Sequence, residues 1–431
     1  AKDIQKEFSK LKKQEKKNKK KKIAGRIITS RVIGKIAFIT IQDQSGKIQL
    51  FASQDNLEKE KYKQLTKLDL GDIIGVEGAI FKTKTGEITL DIKNYELLSK
   101  SLRPMPSKWH GLKDEEEKLR KRYLDIISNP EIKELFIKKQ KFWNTIRNFL
   151  IKKEFLEVET PILEISAGGA AATPFKTHHN ALNTDIFLRI SMGELWQKKL
   201  LVAGYEKTFE IGRQFRNEGI DAEHLQDYTQ MEFYWAYADY KMGMELVKEM
   251  YKEVVKEVLG NLKFETNNHK INLNKKWELY DYETLIKEKT KINIYKHDKK
   301  DIIKFLDKKK IKYDPKVDKW RLIDILWKYC RKDISGPGFL VGQPVEITPL
   351  AKRSRKDNKK VEQFQVIMAG SEMGNGYSEL NDPEDQKERF ERQMKLKKAG
   401  DKESMEHDKS FVEALEYGMP PACGFGVSER F

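Results

Sequence analysis

The segment Phe215–Tyr234 gathers residue types that handle anions: Arg216, Asn217 and Glu218, then His224 and Tyr228, then Glu232 and Tyr234. Phe209, Ile211 and Phe215 alternate with polar residues over Thr208–Arg216, and alternation resumes over Gln230–Tyr237. That pattern predicts two antiparallel strands joined by the polar loop Asn217–Asp227. Period two puts Glu232 and Tyr234 on one face and Met231 and Phe233 on the other. If the polar face floors a cleft, Arg216 at the end of the facing strand offers its planar fork to a phosphate or a carboxylate. Taken alone, the same residues also describe a surface hairpin with solvated charges, and both readings stand at this point.

The elements that must position such a site follow from length and patterning. A chain of 431 residues is long enough for two or three domains, each with its own core. No apolar run approaches the length of a membrane span and no apolar stretch follows the lysine-rich start, so a soluble protein with no membrane partner is expected. Cys330 and Cys423 lie far apart, without Cys-x-x-Cys or histidine partners at metal-binding spacing. Neither a disulfide framework nor a zinc site is indicated, and a reducing cytoplasm is the expected location. The formal net charge of +17 suits a polyanion such as RNA. Lysine in such excess over arginine is also what an AT-rich coding sequence yields, so local clusters weigh more. The run Lys10–Lys22 reads either as a basic helix that grips phosphates or as a solvated tail, which sets residues 1–22 apart.

Over residues 23–100, five β-rich runs recur between turn signals: Ile23–Val32, Ile36–Gln42, Lys47–Ala52, Asp72–Lys82 and Glu87–Leu98. Five short strands in a small basic module predict an OB-fold barrel that binds single-stranded nucleic acid on one face. Residues 101–128 form a linker with Pro104 and Pro106 followed by a charged helical run. A larger α+β region covers 129–431. Within it, residues 263–340 differ in texture and read as a mostly helical insertion without visible chemistry. There is no internal repeat and no Gly-rich phosphate loop, so an ATP site would have to be built another way.

Phe215-Arg216-Asn217-Glu218-Gly219 followed by Thr229-Gln230-Met231-Glu232-Phe233-Tyr234 resembles motif 2 of the class II aminoacyl-tRNA synthetases, the lysyl enzymes in particular. Phe155–Leu163 resembles motif 1, which in that family builds a dimer interface, and Gly424–Arg430 resembles motif 3. The strings Gly168–Phe175, His178–Leu182 and Met373–Asp382 are similar to those of lysyl enzymes, so the resemblance covers nearly the whole chain. It implies an N-terminal OB-fold anticodon-binding barrel, with Arg31, Phe38 and Gln49 at the base-reading positions, and a class II catalytic domain with an antiparallel sheet flanked by helices. It also implies a homodimer that takes L-lysine, ATP and tRNA-Lys.

The implied chemistry needs preorganised positive charge rather than a general base, because the attacking carboxylate is already ionised. By resemblance, Arg216 bridges the amino-acid carboxylate and the α-phosphate, while His224 and Arg430 lie toward the outer phosphates. Asn217 and Glu218 meet the adenine edge and Tyr228 stacks on the ring. Lysine is held by Glu232, Tyr234 and Glu379 at its side-chain end, by Glu194 and the backbone near Gly168 at its α-amino group, and by Asn375 and Tyr377 along the pocket. Magnesium is implied, with Glu372 as one ligand. Gln365 stands where the family carries a second acid, and Glu154 stands where motif 1 usually carries glycine. Aspartyl and asparaginyl enzymes share the layout but need cationic or amide partners in the pocket. A related ligase that lysylates a translation factor lacks the barrel, and a non-catalytic RNA-binding module would have no reason to keep Arg216, Glu232, Glu372, Glu379 and Arg430 together. The chain ends at Phe431, where the resemblance implies a further helix beneath the nucleotide, so a fragment with a poorly held Arg430 is expected.

Overall fold

The computed structural model describes residues 1–106, 114–170, 172–219, 225–315, 317–398 and 408–431. It is an α+β protein of two compact units that divide between Phe136 and Ile137, inside the helix Pro130–Lys152. Of the linker, residues 107–113 lie outside the described residues.

In the first unit, helix α1 (Lys2–Glu7) precedes strands β1 (Lys16–Ile33), β2 (Ile36–Gln42), β3 (Lys47–Ser53), β4 (Ile73–Lys82) and β5 (Ile88–Ser99), with α2 (Lys59–Thr66) between β3 and β4. The strands close into a barrel in the order β1-β2-β3-β5-β4. Closure removes free edges. Alternation does the sorting: Ala37, Ile39 and Ile41 of β2 and Ile48 and Leu50 of β3 are buried, while Phe38, Thr40 and Gln49 face outward. The lysine run departs from both sequence readings, because Lys16–Lys22 is part of β1 and pairs with β4. Pairing satisfies the backbone there, and the lysines find carboxylates: Lys19 and Lys21 at Glu7, Lys20 and Lys22 at Glu77. A helix would instead have stacked like charges four residues apart.

The second unit is organised by an eight-stranded sheet. Its strands are β6 (Leu156–Glu157), β7 (Lys207–Phe215), β8 (Asp227–Ala236), β9 (Glu278–Asp281), β10 (Gly338–Val341), β11 (Gln363–Met368), β12 (Ser371–Ser378) and β13 (Ala422–Ser428). Their order is β9-β10-β11-β12-β13-β8-β7-β6. The antiparallel pairing expected for the sheet runs through its centre, and the two outermost pairs, β6 with β7 and β9 with β10, are parallel. Each is joined by a long crossover containing helix, which parallel pairing requires.

One face of this sheet is covered by α3 (Pro130–Lys152) and α5 (Tyr240–Leu259). Asp239 caps α5 by accepting from the Lys241 and Met242 amides, and Gly260, at φ +74°, ends it. Phe209, Met231, Phe233, Phe364 and Phe425 point from the sheet into this core. Burying each such aromatic contributes about 1.5–3 kcal/mol. The opposite face carries α4 (Glu194–Val202), α9 (Pro383–Lys398) and α10 (Lys409–Glu416). The segment 263–340 is less exclusively helical than its composition suggests. Besides α6 (Tyr282–Thr290), α7 (Lys299–Lys308) and α8 (Lys319–Cys330), it holds a hairpin of 263–266 with 269–272 and contributes β9 and β10 to the sheet.

At the end of α3 the chain turns into β6 through Glu154, whose φ of +66° is left-handed. A side chain there costs about 1–2 kcal/mol. Its 3.6 Å contact with Lys207 is at the surface, with Glu154 87% exposed, and offsets little. Glu154→Gly is expected to raise the unfolding free energy by about 0.5–1 kcal/mol, the relieved strain less the entropy that glycine adds to the unfolded chain. Urea denaturation of the two proteins measures this; an unchanged or lowered midpoint contradicts it.

Candidate active site

The polar face of the sheet is built in rows across the strands. Tyr234 of β8, Gly424 of β13 and Tyr377 of β12 lie side by side, and so do Glu232, Gly426 and Asn375. Next to Asn375, across from β12, stands Gln365 of β11. Glycine on the middle strand leaves the room that the larger residues on either side enclose. A Cβ on Gly424 would lie 2.2 Å from Glu379 Oε1 and 2.6 Å from a ring carbon of Tyr234.

Helix α4 closes the wall above these rows. Against the start of this helix packs Gly169, at φ +87°, where a Cβ would lie 2.5 Å from Ser191 Oγ and 3.0 Å from Glu194 Cβ. Glu194, Arg216, Tyr228, Glu232, Tyr234, Gln365, Glu372, Asn375, Tyr377, Glu379 and Arg430 all line one cavity of about 470 Å³. Most positions singled out in the sequence thus converge. Gly168 is replaced in the lining by its neighbours Gly169 and Ala170, and Asn217 and Glu218 do not reach the cavity. The amide of Asn217 instead donates to the Thr173 carbonyl and ties the loop down. His224 lies outside the described residues.

Three buried carboxylates dominate the chemistry. Glu232 accepts from the Met192 amide at 3.1 Å, from Gln230 Nε2 at 2.7 Å and from the Tyr234 hydroxyl at 2.9 Å. Glu194 accepts from the Tyr377 hydroxyl at 2.5 Å and from Lys198 Nζ at 2.7 Å. Glu379 is 1% exposed; Lys198 Nζ pairs with its Oε2 at 2.6 Å, and Oε1 has no partner among the described residues. Burial, with the charge of Glu194 beside it, pushes the Glu232 carboxyl up to about 7. Burial pushes Glu379 up to about 8, against the downward pull of Lys198. Such a set is built to receive cationic donors, since an unpaired buried charge costs several kcal/mol.

Lys198 is the functional residue that the sequence reading missed. It sits four residues after Glu194 on α4, fully buried, between Glu194 and Glu379 and over the rings of Tyr234 and Tyr377. The i, i+4 spacing was visible, but nothing in the sequence distinguishes it from the adjacent Lys199, whose ammonium lies over Trp196.

At the anion side, Arg216 stands over the Tyr228 ring at 6.0 Å and donates from Nε to the Ile190 carbonyl at 3.3 Å. Gln214 donates to both Tyr228 Oη and Gln230 Oε1. Arg430 also reaches the cavity. Its neighbours are anchored, contrary to expectation: Glu429 pairs with Lys139 at 2.7 Å and Phe431 stacks on Tyr251 at 3.9 Å between ring centres. Glu372 is held by Trp327 Nε1 at 2.7 Å and lies 3.6 Å from Arg331 Nε. Both partners come from the 263–340 segment, in which the sequence had shown no chemistry. Burial raises the Glu372 pKa and Arg331 opposes the rise. Gln365 donates to Glu372 at 3.3 Å and leaves its own oxygen buried and unpartnered.

On the barrel, Arg31 and Phe38 are cross-strand neighbours on the outer face, and Gln49 donates to Thr89 Oγ1. Phe38 packs against Phe51 at 5.3 Å, and Phe51 against Phe81 at 5.9 Å. The last two extend the aromatic surface beyond what motif matching indicated, and the outward parity of their strands would have found them.

Residues 114–430 match the family model for class II tRNA synthetases (D, K and N), and residues 21–98 match that of the OB-fold nucleic acid binding domain. The lysine–tRNA ligase of Carboxydothermus hydrogenoformans is 45% identical over 410 residues, 94% of this chain and 83% of that protein. The chain belongs to the class II tRNA synthetases, in the lysine–tRNA ligase family. The ligase of Idiomarina loihiensis is 42% identical over 436 residues, covering 99% of this chain and 86% of its own length. That of Thermosipho africanus is 44% identical over 405 residues, covering 94% and 80%. No described helix of this family member is long and apolar enough to cross a membrane.

Because Glu379 is buried and charge-paired, a methyl group at position 424 cannot simply push it aside. Gly424→Ala is expected to cost about 1–3 kcal/mol of stability by overpacking. It is also expected to abolish ligand binding in the cavity. Chemical denaturation and calorimetric titration with L-lysine check the two effects; normal binding by the variant contradicts the assigned pocket floor.

Proposed function

We propose that this chain is a lysine–tRNA ligase whose cavity activates L-lysine with ATP and then passes lysyl to tRNA-Lys. The carrying observation is the buried set Glu194, Glu232 and Glu379 facing the same cavity as Arg216. Acids at one end and an arginine in the same space fit an amino acid with a cationic side chain. They oppose an aspartyl or asparaginyl reading, whose side chains would meet repulsion or unpaired carboxylates.

In the first step a lysine carboxylate oxygen forms a bond to the α-phosphorus of ATP, and the bond from that phosphorus to the bridging oxygen of the β-phosphate breaks, releasing pyrophosphate. Two anions must approach, so catalysis lies in placement and compensation of charge. Arg216 is suited to span both with its fork, and Arg430 to take charge on the outer phosphates. The Tyr228 ring offers a stacking face for adenine. Glu379, with Oε1 open, seats the ε-ammonium, and Glu194 the α-ammonium. In the second step a ribose hydroxyl at the tRNA 3′ end attacks the lysyl carbonyl and AMP leaves.

Magnesium fits this donor set: the Glu372 carboxylate and the unpartnered Gln365 oxygen would hold it. When bound, it neutralises charge on the phosphates. Trp327 and Arg331 orient Glu372 for that role.

On the barrel, Phe38, flanked by Phe51, offers a stacking platform for anticodon bases, with Arg31 and Gln49 as hydrogen-bonding partners. A homodimer through motif 1 is supported by the exposed apolar side chains Ile151, Leu156, Ile162, Leu163 and Ile165.

Amino-acid-dependent exchange of pyrophosphate into ATP tests the reading. Exchange is expected with lysine and not with aspartate, asparagine or no amino acid; exchange with aspartate, or none at all, overturns it. Stacking is worth about 1–3 kcal/mol per base. Phe38→Ala is therefore expected to raise the tRNA KM in aminoacylation by about tenfold while leaving pyrophosphate exchange unchanged. Equal losses in both assays would remove the barrel face from tRNA recognition.

A further inference from the structure

The pocket holds more carboxylates than its own cation can balance. Glu194, Glu232 and Glu379 are 5%, 6% and 1% exposed, and Lys198, 1% exposed, is the ammonium set among them. Glu210, opposite Glu232 across β7 and β8, adds nothing to this account because buried Arg189 pairs with it at 2.5 Å. Once all three are ionised, as entering ammonium groups require, three carboxylates against one ammonium leave two negative charges. Free lysine carries two ammonium groups, and its carboxylate is matched separately by Arg216.

We infer that Lys198 is a specificity-determining positioning residue: it is a built-in counter-ion that sets the pocket charge to the two ammonium groups of lysine, aims Glu379 and eases its ionisation when an ammonium enters. This rests on the proposed lysine–tRNA ligase reading. The geometry supports it directly. Lys198 Nζ lies 2.7 Å from Glu194 and 2.6 Å from Glu379, so it bridges the two carboxylates proposed for the α- and ε-amino groups. The rings of Tyr234, Tyr377 and Phe411 surround it at 5.6–5.8 Å. Burial alone would lower the Lys198 pKa, but the two glutamates outweigh it and raise it. The groups facing Glu379 are Lys198 and Glu194 from α4, Glu232 and Tyr234 from β8 and Tyr377 from β12, while the Cys423 thiol of β13 feels its charge from the opposite face of the sheet. Without Lys198 these leave Glu379 among like charges and weak acids, and it holds its proton more tightly against an entering ammonium.

The test uses the full chain with Lys198→Met, which keeps length and removes charge, and Lys198→Arg, which keeps charge. Lysine-dependent pyrophosphate exchange is measured across pH, with lysine and ATP KM values separated. If the unsubstituted chain shows no lysine-dependent exchange, the functional reading fails rather than this inference. With that control active, Lys198→Met is expected to raise the lysine KM about tenfold or more near pH 7 and to recover as pH rises, because one displaced pKa unit is worth about tenfold. The ATP KM stays within about twofold, and Lys198→Arg restores at least part of the loss. A folded Lys198→Met protein with an unchanged lysine KM, or with lysine and ATP KM values raised together at every pH, overturns the inference. Should Lys198→Met fail to fold, Lys198→Met/Glu379→Gln decides: it removes both charges, so its melting temperature is expected to exceed that of the single variant. A double variant no more stable than the single one overturns the counter-ion role.

Discussion

Keeping several carboxylates out of water in one small space is the constraint around which the second unit is arranged. Left alone, such groups protonate or draw in water. Here Glu232 is satisfied by an amide, an amide side chain and a tyrosine, and Glu194 by a tyrosine and a lysine, whereas Glu379 is paired with Lys198 through Oε2 and keeps Oε1 open. The unsatisfied acceptor is the one placed deepest. A site prepared in this way rejects neutral side chains, because they would leave that acceptor unpaired.

The scaffold serves this constraint through strand parity. In β8, Met231 and Phe233 enter the core under α3 and α5, which turns Glu232 and Tyr234 to the opposite face. In β13, Phe425 and Val427 do the same and leave Gly424 and Gly426 between the large polar residues. A register slip of one residue would bury the carboxylates under the helices and expose the aromatics, so packing and site geometry are fixed by one alternation.

That alternation is why much of the fold was legible in the sequence. The hairpin from Thr208 to Tyr237 and the barrel strands from Ile36 onward stand within three residues of where period two puts them. The lysine run was not legible, because its strand character comes from pairing with β4 rather than from its own propensity. Most pocket residues were reachable only through the motif resemblance, since a single glutamate on a strand carries no signature. Lys198 escaped even that. Its role depends on Glu379, nearly half the chain away, coming within 2.6 Å, and sequence spacing holds no trace of such a contact. Trp327 and Arg331 escaped for the same reason, their partner Glu372 lying in a different element.

The departures fall where geometry tolerates them. Glu154 takes a left-handed turn at the surface, and Gln365 keeps an oxygen directed to the same space as Glu372 although it brings no charge. The central claim concerns charge, and counting protons tests it most directly. Lysine binding is followed calorimetrically in buffers of different ionisation enthalpy. With Glu232 near 7 and Glu379 near 8, binding is predicted to release protons at about pH 6.5 and progressively fewer toward about pH 8.5, where both carboxylates are already ionised. Lysine binding with no proton release anywhere in that range would contradict the account.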